Sequence, residues 1–181
     1  MNKHLKVLII ALCSIALVVG SVAVTMAYLV DTDTKKDTFT VGNIDIELNG
    51  TVDISQKMMP GTTFASPSVT VNRGSEACYL FIKMDKNANF DTFLEYTQAD
   101  GWSELAGVPN VYYRLVDSSD SNQTFPVFTN LIADPTCTKA QYDSIQPGEE
   151  PSISLTAYAV QQVNIATAAE AWNVAMQSAQ P

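Results

Sequence analysis

Histidine, the commonest acid–base and zinc-binding side chain, occurs once in this chain, at His4. It stands between Lys3 and Lys6, ahead of the apolar run Val7 to Val19. Beyond it, Ser-His and Cys-His nucleophile pairs and histidine-based zinc sites are excluded. Cys78 and Cys137 are the only cysteines after Cys13, and two thiols do not complete a zinc tetrahedron. Asp31, Asp33 and Asp37 are spaced like the start of a calcium loop. Lys36 stands where that loop needs glycine, and Gly42 where it needs an acid. They read as solvated charge near a strand end. Glu149–Glu150 follows Pro147–Gly148 and reads as loop charge. The chain has 19 acidic residues, so a glycosidase-type carboxylate pair cannot be singled out. No glycine-rich phosphate loop is present. Trp102, Tyr112 and Tyr113 have the chemistry of a sugar platform, but aromatic residues on strands also fill cores. The reading assigns no catalytic residue, no metal ligand and no cofactor.

The chemistry that the sequence does announce is done to the chain, at Ala27–Tyr28. Lys3 and Lys6 form a basic start, Val7 to Val19 is apolar except for Ser14, and Gly20–Ser21 breaks the run. Thr25 and Ala27 are the small residues of a processing site, so a secretory signal cut after Ala27 is expected. The rival is an uncleaved anchor, because the stretch between Lys6 and Asp31 carries no charge and is long enough to span a bilayer. A lipoprotein signal does not fit, since Leu12 rather than a small residue precedes Cys13. The membrane is then a partner only before cleavage, and the signal peptidase only during export. The cut frees Tyr28, Leu29, Val30 and Thr32 at the tip of a strand-like segment.

Cleavage leaves 154 of the 181 residues and removes two of ten basic residues, so eight face nineteen acids, a net charge of −11. About 150 residues bury close to 70% of their unfolded surface, enough for a core without staples. The acidity argues against nucleic-acid binding, which needs phosphate-neutralising cations. It suits a self-repelling extracellular protein whose association depends on salt. A secreted location permits a Cys78–Cys137 disulfide; each cysteine read alone is a small buried apolar residue.

Strand signals dominate the elements. Phe39 and Val41, then Ile44, Ile46 and Leu48, alternate with polar residues around a bulge or tight turn at Gly42–Asn43. Asn49–Gly50 and Pro60–Gly61 mark further turns, and Val69 with Val71 forms a short strand closed by Asn72–Arg73–Gly74. Glu76 to Met84 is apolar on both alternating sets, as a central strand covered on both faces would be. Val111 to Val116, Thr124 to Ile132 and Ser152 to Val160 follow, with Pro126 confining the second to an edge or bulge. Asn87 to Gln98 has helical spacing at Phe90, Phe93 and Leu94 and reads as a short surface helix or loop. Ala166 to Ala179 reads as a helix, capped by Asn164 or Thr167, with Ala168, Trp172 and Met176 in line. The expected fold is all-β: an antiparallel β-sandwich, jelly-roll-like, with short helical insertions, preceded by an N-terminal signal helix. Its expected division is a signal peptide, 1–27, and a β-sandwich domain, 28–181.

The segment from Ala27 to Leu48 resembles the start of proteins in the TasA/camelysin family of Gram-positive bacteria, whose signals are processed by the peptidase SipW. The matching residues are Ala27, Tyr28, Leu29, Asp31 to Thr34, Thr38, Phe39, Gly42, Ile44 and Ile46. Weaker matches follow at Pro60–Gly61, Gly101–Trp102, Tyr112–Tyr113–Arg114, Ala157 to Gln161 and Ala168 to Trp172, so the resemblance covers most of the chain. It implies a secreted jelly-roll protein of the biofilm matrix or cell surface that assembles with its own kind, or with related matrix subunits, into fibres. In such fibres an N-terminal strand, here residues 28–38, passes into the next subunit. Camelysin-like members carry a metallopeptidase label, for which this chain offers no histidine and no zinc motif beyond its signal. A free strand end gains a ladder of hydrogen bonds when a sheet edge takes it in, and head-to-tail transfer gives filaments. The two other roles weighed are the surface metallopeptidase and a glycan-binding module gripping sugar with Trp102. The plain alternative for residues 28–38 is a first strand of their own domain or a tail.

Overall fold

The computed structural model describes residues 38–50, 58–146 and 148–179. The signal, the Ala27–Tyr28 bond and the donor residues Tyr28, Leu29, Val30 and Thr32 lie outside them. The described chain is mostly β, with few helices. In order come β1 (Thr38–Val41), β2 (Ile46–Asn49), β3 (Ser68–Val71), β4 (Cys78–Lys86), α1 (Phe90–Phe93), β5 (Leu94–Gln98) and β6 (Ser103–Glu104). Then follow β7 (Val111–Val116), β8 (Gln123–Pro126), β9 (Phe128–Ala133), α2 (Lys139–Asp143), β10 (Ile153–Gln161) and α3 (Ala168–Ser178). No described helix is long and apolar enough to cross a membrane.

Three sheets form: β1-β10-β4-β7-β6, β2-β3-β8 and β5-β9. β4 and β10 pair along nine residues, from Ile153 opposite Lys86 to Gln161 opposite Cys78. The double apolar pattern of β4 is the reason it lies centrally. Cys78, Leu80, Ile82 and Met84 belong to one buried cluster, with Val69 and Val71 of β3 and Phe128 and Leu131 of β9. Tyr79 and Phe81 belong to a second cluster, with Tyr158, Val160 and Trp172. Alternate residues of a strand point to opposite faces. One face of the five-stranded sheet is therefore covered by the two smaller sheets, and the other by α3.

α3 begins at Thr167, whose side chain accepts the backbone N–H of Glu170; Asn164, the other candidate cap, instead sits in a turn with φ of 63°. Trp172 packs against Phe81 and edge-on against Tyr158, with ring centroids 5.3 and 5.2 Å apart.

The structure corrects four expectations. The β1–β10 pair is parallel, so the strands are not uniformly antiparallel. Gly42–Asn43 is not a hairpin-type turn within one sheet: β1 and β2 on either side of it belong to different sheets. Asn87 to Gln98 is only in part the short surface helix or loop expected. Only Phe90–Phe93 is helical, Leu94–Gln98 pairs with β9, and Phe90 is fully buried. Cross-strand bonding to Ala133 and its neighbours overrides the helical spacing there. Thr124 to Ile132 is two strands, with Pro126 ending β8 at the edge of its sheet, as a residue without an N–H requires.

Candidate functional site

The segment nearest the expected cleavage point is β1, the edge strand of the five-stranded sheet. Thr38, Phe39, Thr40 and Val41 lie opposite Ala157, Tyr158, Ala159 and Val160. The TFTVG block thus meets the AYAVQ block, and Trp172 of the AAEAW block packs on Tyr158. Thr40 is buried, and Val41 packs against the cluster under α3. β10 is nine residues long, and β1 covers only its second half. Along Ile153 to Thr156 no described strand occupies the β1 side.

Gly42 sets how the chain leaves this edge. Its φ is +103°, a region that residues with a Cβ rarely enter. A Cβ there would stand 2.6 Å from Gln161 Oε1 and 2.9 Å from Gln161 Cβ. The glycine therefore lets β1 seat against the end of β10 and then turn into Asn43. Beyond it, Ser75 Oγ accepts the backbone N–H of Asp45 at 3.1 Å, and Asp45 C=O accepts the N–H of Asn72 at 2.8 Å. That pinning starts the chain on its course in the second sheet.

The far side of the same sheet holds another constellation. Ser103 and Glu104 pair with Tyr113 and Tyr112, a register that places Trp102 opposite Arg114. The Arg114 guanidinium lies 5.4 Å from the Trp102 ring centroid and 3.7 Å from that of Phe125 on β8. Gly101, with φ of +85°, gives it room: a Cβ would fall 2.9 Å from Arg114 Nη2. Trp102 is buried, and its Nε1–H donates to Pro126 C=O at 2.9 Å. The ring is thereby committed to this seam, and its indole N–H is already taken, which disfavours the sugar-platform reading. Arg114 is half-buried, and burial lowers its pKa from the ordinary value. Its Nε–H is buried and has no acceptor among the described residues. Sequence reading named Gly101–Trp102 and Tyr112–Tyr113–Arg114 as separate blocks; it had no signal that the two meet.

Lys86 is the most enclosed lysine of an ion pair: its side chain is 11% exposed, its Nζ is 2.8 Å from Asp91 Oδ1, and it stands over the Phe90 and Tyr96 rings. This cluster ties α1 to β4 and β5.

The structure does not join the two candidate disulfide cysteines; both are free thiols. Cys78 is buried at the end of β4 opposite Gln161 and Val116. Cys137 donates to Thr92 C=O at 3.6 Å, near the segment that follows the other end of β4. Burial pushes the Cys78 thiol up to about 12. Cys137 is raised too, by burial first and then by the Asp134 carboxylate. Among the described residues no three His, Cys, Asp or Glu side chains gather as a metal-holding group. Glu149 and Glu150 lend their backbone carbonyls to Asn89 and Asn87, which anchors their loop.

No protein-family model, no curated protein and no solved structure matches this chain.

Proposed function

We propose that this chain is a secreted structural subunit of a bacterial cell surface or biofilm matrix. It folds as a jelly-roll-like β-sandwich and assembles into fibres through the strand freed at Tyr28, as its resemblance to the TasA/camelysin family implies. One observation carries the reading. β1, which directly continues the 28–37 segment, is an edge strand bound in parallel to a β10 that lies more than a hundred residues away in sequence, and among the described strands none pairs with the first half of β10 on that side. A sheet edge that takes its strand from so far away in sequence is one that a strand extending from a neighbouring copy can also join. No described strand pairs with Ile153 to Thr156 on that side. That stretch is where an N-terminal segment, its own or a neighbour's, completes the edge.

The test is the assembly state of protein beginning at Tyr28 beside protein lacking Tyr28 to Thr38, across salt and pH. The reading expects large assemblies from the first and monomers from the second. Identical monomers from both would sink it.

A further inference from the structure

Asn49–Gly50 is the only asparagine–glycine pair in the chain; every other asparagine is followed by a residue with a side chain. The pair stands at the end of β2, an edge strand that among the described strands pairs only with β3. Asn72 N–H donates to Asp45 C=O at 2.8 Å, which fixes the alternation of this ladder: its bonded pairs fall at Glu47–Thr70 and Asn49–Ser68. Asn49–Ser68 is the last described rung, and Gly50 lies just beyond it, exposed, with φ of +81°. No described acceptor takes the Gly50 N–H. The Asn49 side chain is half-buried. Its Nδ2 donates to Thr70 Oγ1 at 3.3 Å, a long bond to an oxygen that also meets Thr124 Oγ1 at 2.9 Å.

We propose that Asn49 is a modification site, converted to aspartate and isoaspartate through attack by the chain's own backbone. Hydroxide takes the proton of the Gly50 N–H. The nitrogen attacks Asn49 Cγ, an N–Cγ bond forms, and the Cγ–Nδ2 bond breaks as Nδ2 takes a proton from water and leaves as ammonia. Water then opens the cyclic imide at either carbonyl. The net change is uptake of water and loss of ammonia, with no oxidant and no enzyme. Glycine favours the step because it brings no Cβ to crowd the attacking nitrogen. Ring closure needs the peptide beyond Asn49 to turn, so the Asn49–Ser68 rung must open, as terminal rungs do at little cost. The product sets a carboxylate where Nδ2 donated to Thr70, on the strand face that also carries Glu47. Isoaspartate also lengthens the main chain by a methylene at the end of β2. The reaction needs only water and hydroxide, so it proceeds whether or not the chain assembles.

The experiment incubates protein beginning at Tyr28 at mildly alkaline pH, folded and, beside it, unfolded in urea, and follows its tryptic fragments by mass and chromatography. The fragment from Asp37 to Lys57 holds Asn43 and Asn49 together, so Asn43 is the internal control. A mass gain of about one unit is expected at Asn49 and not at Asn43, with aspartate and isoaspartate forms separating, because only Asn49 precedes a residue without a Cβ. The folded rate is expected to lie about tenfold below the unfolded one, as opening of a terminal rung requires, and to rise with pH. Gly50→Ala is expected to slow the reaction about tenfold even in the unfolded chain, where the strain of its positive φ plays no part. Asn49 that stays intact in the folded protein through an incubation about a hundred times longer than the unfolded chain needs would overturn the proposal. Conversion of Asn43 as fast as Asn49, or an unaltered unfolded rate in Gly50→Ala, would overturn it too.

Discussion

Gly42 and Gln161 approach so closely that no side chain fits between them: a Cβ on Gly42 would lie 2.9 Å from Gln161 Cβ. The contact joins the last residue of β10 to the point where β1 turns out of the five-stranded sheet. It explains why a glycine follows the TFTV strand, through both its positive φ and the space it leaves. Gly42→Ala is therefore expected to destabilise the fold by about 1–3 kcal/mol. Urea unfolding measures this, and a variant with an unchanged midpoint would contradict the packing described.

The second face of the five-stranded sheet depends on α3. Trp172 contacts both Phe81 and Tyr158, and it is the largest side chain that the helix buries. Trp172→Ala is expected to cost about 3–5 kcal/mol. Dye binding to newly exposed apolar surface should rise with it.

The cap of that helix gives a smaller effect. Thr167 Oγ1 accepts the Glu170 N–H at 3.2 Å. Thr167→Ala is expected to lower stability by about 1 kcal/mol, and Thr167→Ser to leave it nearly unchanged. Chemical denaturation of the pair separates a hydrogen-bonding role from a packing one.

Alkali should weaken the fold. Burial pushes Cys78 up to about 12 from 9.0, and Tyr142 up to about 12 from 10.0, the latter with help from Cys137 and Asp134. In the unfolded chain these groups ionise at their ordinary values, so between pH 9 and 12 the unfolded state loses protons that the folded state keeps. Their contribution is full below pH 9 and falls as pH rises through that window. The urea midpoint should decline from pH 9 upward, less steeply in Cys78→Ala. A midpoint that holds constant to pH 11 would count against buried, neutral groups at these positions. The same burial makes Cys137 the faster thiol in the native protein, and alkylation followed by mass measurement reads the order directly.

Much of the framework was legible in local pattern. The two apolar sets of Glu76 to Met84 revealed a central strand because each set fills a separate cluster, one under the smaller sheets and one under α3. Pro126 pointed to a sheet edge because it has no N–H to give, and β8 is an edge strand. What local pattern could not reveal was pairing at a distance. The residues around Gly42 alternate alike on both sides, so nothing local shows that β1 follows β10 while β2 follows β3. Phe90, Phe93 and Leu94 fit helical spacing, and only β9 makes a strand of Leu94 to Gln98. Arg114 looked like one more polar residue on a strand. Its solitude becomes visible only when Trp102 and Phe125 close around it.

The central claim is that the strand freed at Tyr28 is the assembly element. Electron microscopy of protein beginning at Tyr28, beside the same protein carrying an N-terminal extension, tests it most directly. The account predicts filaments from the first, favoured by salt that screens a net charge of −11, and none from the second. Particles of single-subunit size from both would contradict it, and would place β1 permanently within its own subunit.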